Sequence, residues 1–150
     1  MKTQYISACC LALFIPMAGA HAAGKDVTAK AVLKQTDSWD GTRYKAYPEG
    51  EPQLTILEIR IPPHTALPWH QHPVPNAAYV VSGDLTIEDR QSGKTLKVGP
   101  GQAFAESVNA SHRGVTGDKE VVVIVTYSGT KGTVLSIPDD GEKAEFKHME

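Results

Sequence analysis

Two histidines separated by one residue are the first group in this sequence whose spacing could do chemistry. They lie in the stretch WHQHPVPNAAYVVSG, residues 69–83, which places His70 and His72 directly after Trp69. On a β-strand, alternate side chains project from the same face, so both imidazole rings could approach one metal ion. An isolated pair of this kind is more typical of a solvated strand end. It indicates a metal site only if a further ligand lies elsewhere in the chain.

The elements that would have to position these histidines are short β-strands. The segment LTILEIRI, residues 54–61, alternates apolar side chains with Glu58 and Arg60 and predicts a half-buried strand. Further strands are predicted at AAYVV (77–81), LTIED (85–89), TLKV (95–98), AFAE (103–106), HRGVT (112–116) and VVVIVTY (121–127). The connection RQSGK predicts a hairpin between the strands at 85–89 and 95–98, and VVVIVTY is typical of a buried central strand.

The predicted fold class is all-β with antiparallel strands. No segment beyond the N-terminal apolar run shows a 3.6-residue apolar period, and parallel strands would need crossover connections that are usually helices. A sandwich, a jelly roll and a closed barrel all fit this pattern. We expect a single domain over residues 23–150, with its core at about 50–137 and a charged tail at 138–150 that is poor in apolar residues and frayed.

The histidine pair also resembles the first motif of the cupin superfamily, a group of small jelly-roll β-barrels whose two motifs supply metal ligands. His70 and His72 are followed after three residues by Asn76, where the family has Glu, and after six more by Gly83. His64 stands where the family motif begins with Gly.

One histidine, His112, matches the second cupin motif about 40 residues further along the chain. Ser107, Asn109 and Thr116 occupy the positions of its Pro, Gly and Asn. The resemblance runs over roughly residues 50–135. It implies a jelly-roll β-barrel that holds one divalent metal ion through His70, His72 and His112.

Three imidazoles suit divalent Fe, Mn, Ni, Cu or Zn, and the ligand types alone do not rank these metals. Neutral imidazoles leave the double charge of the ion uncompensated. Asn76 could coordinate through its carbonyl oxygen or hydrogen-bond a metal-bound water. Glu106 is the better candidate for a metal ligand or proton acceptor. It ends one predicted strand and His112 begins the next, so a hairpin would place both side chains on the same face.

Aromatic side chains are predicted to line or cap a ligand pocket beside the metal, together with Asn76; they are Trp69, Tyr79, Phe104 and Tyr127. Two functions fit this site. One is a metal-dependent enzyme, dioxygenase-like or isomerase-like, with Glu106 as proton acceptor. The other is a non-catalytic module that holds a small ligand or the metal itself. We interpret His64, at a loop tip, and His148, in the tail, as solvated.

The N-terminus predicts an exported protein. An apolar stretch, residues 6–17, follows Lys2, and Ala20 and Ala22 form an A-x-A cleavage site, so residues 1–22 read as a signal peptide. A lipid anchor is the alternative, because ISAC at residues 6–9 loosely resembles a lipobox, but a lipobox follows the apolar region. The run is too short for a spanning helix. We therefore expect a bacterial periplasmic or secreted protein.

Charge and cysteine content exclude several classes of function. Cleavage after Ala22 would remove Lys2, Cys9 and Cys10, leaving 14 basic and 17 acidic residues, a formal charge of −3 and no cysteine. Such a chain has neither a disulfide framework nor a thiol nucleophile, and we expect it to bind neither nucleic acid nor an anionic membrane. The expected partners are a small-molecule ligand and, through strand pairing at an open barrel edge, a second copy of the chain.

Overall fold

The computed structural model describes residues 26–146, and β-strands are the regular elements of that part of the chain. They are β1 (Pro52–Ile61), β2 (His70–Gln71), β3 (Asn76–Ser82), β4 (Leu85–Asp89), β5 (Thr95–Val98), β6 (Ala103–Ala105), β7 (His112–Thr116), β8 (Val121–Thr130) and β9 (Ile137–Pro138). The prediction of an all-β fold is confirmed. The predicted signal peptide and His148 lie outside the described residues.

The strands form two antiparallel sheets in a jelly-roll arrangement. The first sheet has the order β1-β8-β3-β6 and the second the order β5-β4-β7-β2-β9. The predicted hairpin is present, since β4 pairs with β5 and sets Leu85 opposite Val98. The apolar run of β8 lies between β1 and β3, as expected for a strand that is buried in the middle of a sheet. Across residues 26–146, no helix has the length and apolar character needed to cross a membrane.

The core lies between the facing surfaces of the two sheets. In β1, Glu58 and Arg60 are exposed, whereas Ile61 at the end of the strand is buried, in line with the predicted alternation. The buried apolar cluster draws on β1, β3, β4, β5, β6 and β8 and contains Ile61, Val74, Ala78, Val80, Leu85, Ile87, Val98, Phe104, Val121, Val123, Val125 and Tyr127. Because each large apolar side chain contributes roughly 1.5–3 kcal/mol on full burial, this shared layer holds the two sheets together.

The strands on either side of SVNAS do not form the predicted hairpin. β6 pairs with β3 in the first sheet, whereas β7 pairs with β4 and β2 in the second. Residues 107–111 therefore pass from one sheet to the other. The backbone N–H of Asn109 donates to the carbonyl of His72 at 2.8 Å, which ties this crossing to the segment after β2. The hairpin prediction is wrong because a five-residue connection can span two packed sheets as well as turn back within one.

The described part of the C-terminal tail packs against the barrel, so the prediction that it is frayed is wrong for these residues. β9 pairs with β2, and Pro138 lies opposite His70. The backbone N–H of Asp139 then donates to the carbonyl of Trp69 at 3.0 Å. Backbone hydrogen bonds of this kind anchor the segment. Its low content of apolar residues gave no reason to expect that it packs against the barrel.

Candidate metal centre

The second sheet brings the three predicted histidines together. His70 in β2 lies directly opposite His112 in β7, so both side chains point to the same face, and His72 follows two residues after His70. The ring centroids lie 4.8–5.0 Å apart. All three residues are buried, and one ligand atom from each lies within 4.8 Å of the others. The histidines are thus positioned to bind a single metal ion.

Each imidazole is oriented by a hydrogen bond from Nδ1 to a backbone carbonyl oxygen. The acceptors are Pro68 for His70 at 2.9 Å, Leu135 for His72 at 2.7 Å and Ala110 for His112 at 2.9 Å. Because a carbonyl oxygen can only accept, Nδ1 carries the proton and Nε2 keeps its lone pair. Neutral imidazoles held in this tautomer are the form that a metal ion requires.

Glu106 approaches the histidines from the opposite sheet. Its Oε2 atom lies 3.0 Å from Nε2 of His112 and 3.8 Å from Nε2 of His72. The contact with His112 does not have hydrogen-bond geometry, and Nε2 of His112 has no hydrogen-bond partner in the described chain. Two buried lone pairs repel at this distance, so a cation between them, a metal ion or a proton on His112, is favourable. The donor set therefore fits a divalent metal ion.

The β3–β6 ladder explains why the Glu106 side chain faces inward. Ala105 pairs with Ala77, and the ladder continues as the backbone N–H of Glu106 donates to the carbonyl of Asn76 at 3.1 Å. Asn76 and Glu106 are therefore neighbours on one face of the first sheet. Asn76 is buried, and neither atom of its amide group has a hydrogen-bond partner among the described residues. The cupin motif has Glu at the position of Asn76. In this chain the carboxylate instead comes from Glu106, which lies beside Asn76 at the end of the neighbouring strand.

Burial and the neighbouring charges shift the pKa values at this site in different directions. Burial alone raises the pKa of the Glu106 carboxyl, but the imidazoles, His112 first among them, outweigh burial and hold the pKa at about 2. Burial lowers the pKa of His72 to about 4, a shift that Glu106 only partly opposes. The pKa of His112 is raised, because Glu106 outweighs the burial that lowers it. At neutral pH, Glu106 therefore brings a negative charge to the site.

A second buried carboxylate, that of Glu145, lies on the other side of the histidines. Its Oε2 atom is 3.5 Å from Nε2 of His70, its side chain is 5% exposed, and Oε2 has no hydrogen-bond partner in the described chain. Burial raises the pKa of Glu145, and His70 opposes that shift. No motif or spacing in the sequence marks Glu145 as part of a metal site. The only cue is its apolar neighbours, Ala144 and Phe146, in an otherwise charged tail.

A cavity of about 30 Å³ adjoins the histidines, which is room for about one or two water molecules. Two of the predicted pocket residues, Phe104 and Tyr127, line it together with Glu106. The ring of Tyr127 packs edge-on against His72, with the centroids 5.6 Å apart. Asn76 is directed inward from β3 but does not line this cavity.

Trp69 and Tyr79, also predicted to line the pocket, lie outside the cavity. Trp69 alternates with His70 and packs against the guanidinium groups of Arg90 and Arg113, which lie 5.6 and 4.4 Å from the ring centroid. Tyr79 is exposed on the outer face of β3. The loop residue His64 is solvated, as predicted, with a side chain that is 72% exposed.

The cupin domain family matches residues 57–127, a stretch that contains all three histidines and Glu106. This part of the chain is a cupin domain. No curated protein sequence matches this cupin.

Several solved structures resemble this cupin in fold. The polyketide cyclase RemF from Streptomyces resistomycificus is 22% identical with a TM-score of 0.50, over 59% of this chain and 61% of the cyclase. A structure of the DMSP lyases RdDddP and RnDddQII is 23% identical with a TM-score of 0.52, over 58% and 44%. Oxalate decarboxylase from Lactobacillus farciminis is 18% identical with a TM-score of 0.50, over 57% and 26%. This cupin spans less than two thirds of each of these neighbours, and the likeness concerns the fold.

Proposed function

We propose that this cupin is a secreted metal protein that binds a small organic molecule at a three-histidine site and acts on it, in the manner of a dioxygenase or an isomerase. The observation that supports this proposal is the convergence of three Nε2 atoms and the Glu106 carboxylate on one buried point. Nitrogen and oxygen donors of this kind suit divalent Fe, Mn, Ni, Cu or Zn. A divalent ion held there supplies Lewis-acid chemistry towards a ligand oxygen atom, and a redox-active ion also permits dioxygen chemistry.

The residues of the chain have distinct parts in this proposal. His70, His72 and His112 hold the ion, and their backbone carbonyl partners keep Nε2 directed at it. Glu106 supplies negative charge as a ligand, or accepts a proton from the bound molecule. Tyr127 and the apolar residues of the cavity exclude bulk water, which strengthens each charge interaction at the site.

Export is the second part of this proposal. The apolar stretch at residues 6–17 and the A-x-A site that ends at Ala22 support a periplasmic or extracellular location.

A non-catalytic module is the alternative function. It is favoured by the size of the cavity, since about 30 Å³ holds water but no organic substrate while the site is in this closed form. A protein of this kind would hold the metal itself. Elemental analysis of protein purified from its native compartment would identify the ion in either case.

Replacing one histidine tests the metal site. We expect His112→Ala to lower the affinity for a divalent metal by orders of magnitude, because it removes one of three ligands from a site that the other two cannot complete. His64→Ala is the matched control, since that side chain is exposed. Isothermal titration with Zn(II) and with Co(II) measures both variants. Equal metal retention in His112→Ala and the unaltered protein would reject the three-histidine site.

A further inference from the structure

The segment Lys143–Phe146, here called the C-terminal strap, forms the wall between the metal site and the protein surface. It lines two surface grooves of about 650 and 920 Å³. Glu145 also lines the interior cavity beside the histidines, and among the described residues it alone lines all three spaces. Movement of the strap would therefore connect the cavity to grooves that are large enough for a small organic molecule.

The carboxylate of Glu145 lies between the side chain of Ser136 and the metal site. Oε2 lies 3.5 Å from Nε2 of His70, on a side chain that is 5% exposed, and has no hydrogen-bond partner in the described chain. A buried carboxylate oxygen without a donor is unfavourable unless a cation lies nearby. His70 is one of the three residues that would hold that cation.

The strap is attached to the barrel through side chains and not through strand pairing. The tail is anchored at Asp139, and the backbone N–H of Glu142 donates back to the Asp139 carbonyl at 3.0 Å. Beyond that point, no hydrogen bond between backbone groups joins residues 143–146 to the rest of the described chain. The strap could therefore leave the site without breaking a strand pair.

We propose that the Glu145 carboxylate fills the ligand position of the metal site, and that the ligand of this cupin is a small monocarboxylate that displaces it. This inference rests on the proposed function. It follows from charge balance: a divalent ion with three neutral imidazoles and Glu106 keeps one positive charge, which Glu145 neutralises. When the strap leaves, a ligand with one carboxylate restores neutrality, whereas an uncharged ligand leaves a buried positive charge unpaired.

Titration of the Co(II)-loaded protein with acetate tests this proposal, with the visible absorption of Co(II) as the readout. We expect Glu145→Gln to bind Co(II), to show a spectrum different from that of the unaltered protein, and to bind acetate at least about tenfold more tightly, because a tethered competitor has been removed. Glu142→Gln, in the same tail but outside the cavity lining, should behave like the unaltered protein. Acetamide, the uncharged analogue, should bind to none of the three proteins.

Each other outcome has a defined meaning. If Glu145→Gln loads Co(II) but matches the unaltered protein in spectrum and acetate affinity, Glu145 does not fill the ligand position and this inference alone fails. If Glu145→Gln loses more than about 100-fold in Co(II) affinity and acetate does not restore it, Glu145 is a permanent ligand and displacement is wrong. If the unaltered protein does not bind Co(II), the proposed function fails as well. Circular dichroism confirms that all variants are folded.

Discussion

The chemistry of this site depends on which nitrogen atom of each imidazole is free. Backbone carbonyls accept hydrogen bonds from Nδ1 of His70, His72 and His112, so all three Nε2 atoms are available to one ion. In the proposed site, carboxylates balance the positive charge of that ion. Glu106 lies next to Asn76 on the facing sheet. Of these two side chains only Glu106 carries a negative charge, since an amide is neutral.

At the residue scale, Glu106→Gln should weaken divalent-metal binding by about 10 to 100-fold, and by more than Asn76→Ala does, because a carboxylate in or beside the coordination sphere is worth about that much. Metal titration of both variants at one pH measures the difference, with circular dichroism to show that both are folded. If Glu106→Gln binds metal like the unaltered protein while Asn76→Ala fails to bind, Asn76 completes the site and Glu106 does not.

At the scale of elements, the segment that precedes β1 holds the end of β6 in place. The hydroxyl of Tyr44 donates to the backbone carbonyl of Glu106 at 2.5 Å. The hydroxyl of Ser107 donates to the carboxylate of Asp40 at 2.9 Å. The first contact holds the backbone of Glu106 and the second holds the side chain of the next residue, so the Glu106 side chain remains directed at the histidines. Asp40 therefore helps to position Glu106 through its contact with Ser107.

Asp40 should also make stability depend on pH. Burial raises its pKa, but hydrogen bonds from Ser38, Thr42 and Ser107 outweigh burial and lower the pKa below 3.8. A carboxyl group whose pKa is lower in the folded state stabilises the fold above its unfolded value, and that stabilisation is lost as the pH falls through the folded value. Asp40→Asn should thus lower the free energy of unfolding by about 1 kcal/mol at pH 7.

Urea unfolding at about pH 7 and about pH 3 measures this effect. The difference between Asp40→Asn and the unaltered protein should shrink at the lower pH. Asp118→Asn is the matched control, since that side chain is 96% exposed and its replacement should leave stability unchanged. A difference that is the same at both pH values would show that the Asp40 carboxylate does not carry the effect.

At the scale of the whole molecule, every described residue follows the proposed cleavage site. Residues 26–146 contain both sheets, the three histidines, Glu106 and the C-terminal strap, and they contain no cysteine. No disulfide can therefore join the described residues, and the apolar layer between the sheets holds them together. Ligation by residues from both sheets would add to stability by mass action, because the ion binds the folded state.

Mass spectrometry of exported protein tests the proposed processing. We expect an N-terminus at Ala23 and a mass without Cys9 and Cys10, because an apolar run followed by an A-x-A site is cut after its last Ala. Soluble exported protein that retains Met1 would rule out the signal peptide, and a lipid on Cys9 would indicate the anchor instead.

Local pattern in the sequence was sufficient for the histidines and for seven of the nine strands in the described residues, but not for the two-residue strands β2 and β9. Alternation in β1 and the turn between β4 and β5 report backbone geometry over a few residues, which short-range sterics determine. His70 and His72 share a face for the same reason. Alternation also accounts for Trp69 and Tyr79, since each lies next to an inward-directed residue and points away from the cavity.

Only the tertiary structure decided where the carboxylates lie. Glu106 faces His112 as predicted, but it does so across the space between two sheets, because residues 107–111 carry the chain from one sheet to the other. Glu145 reaches His70 from a tail with no apolar period and no motif. Spacing and alternation describe neighbours along one strand, whereas a contact between sheets, or between a tail and a barrel, depends on the packing of the whole chain.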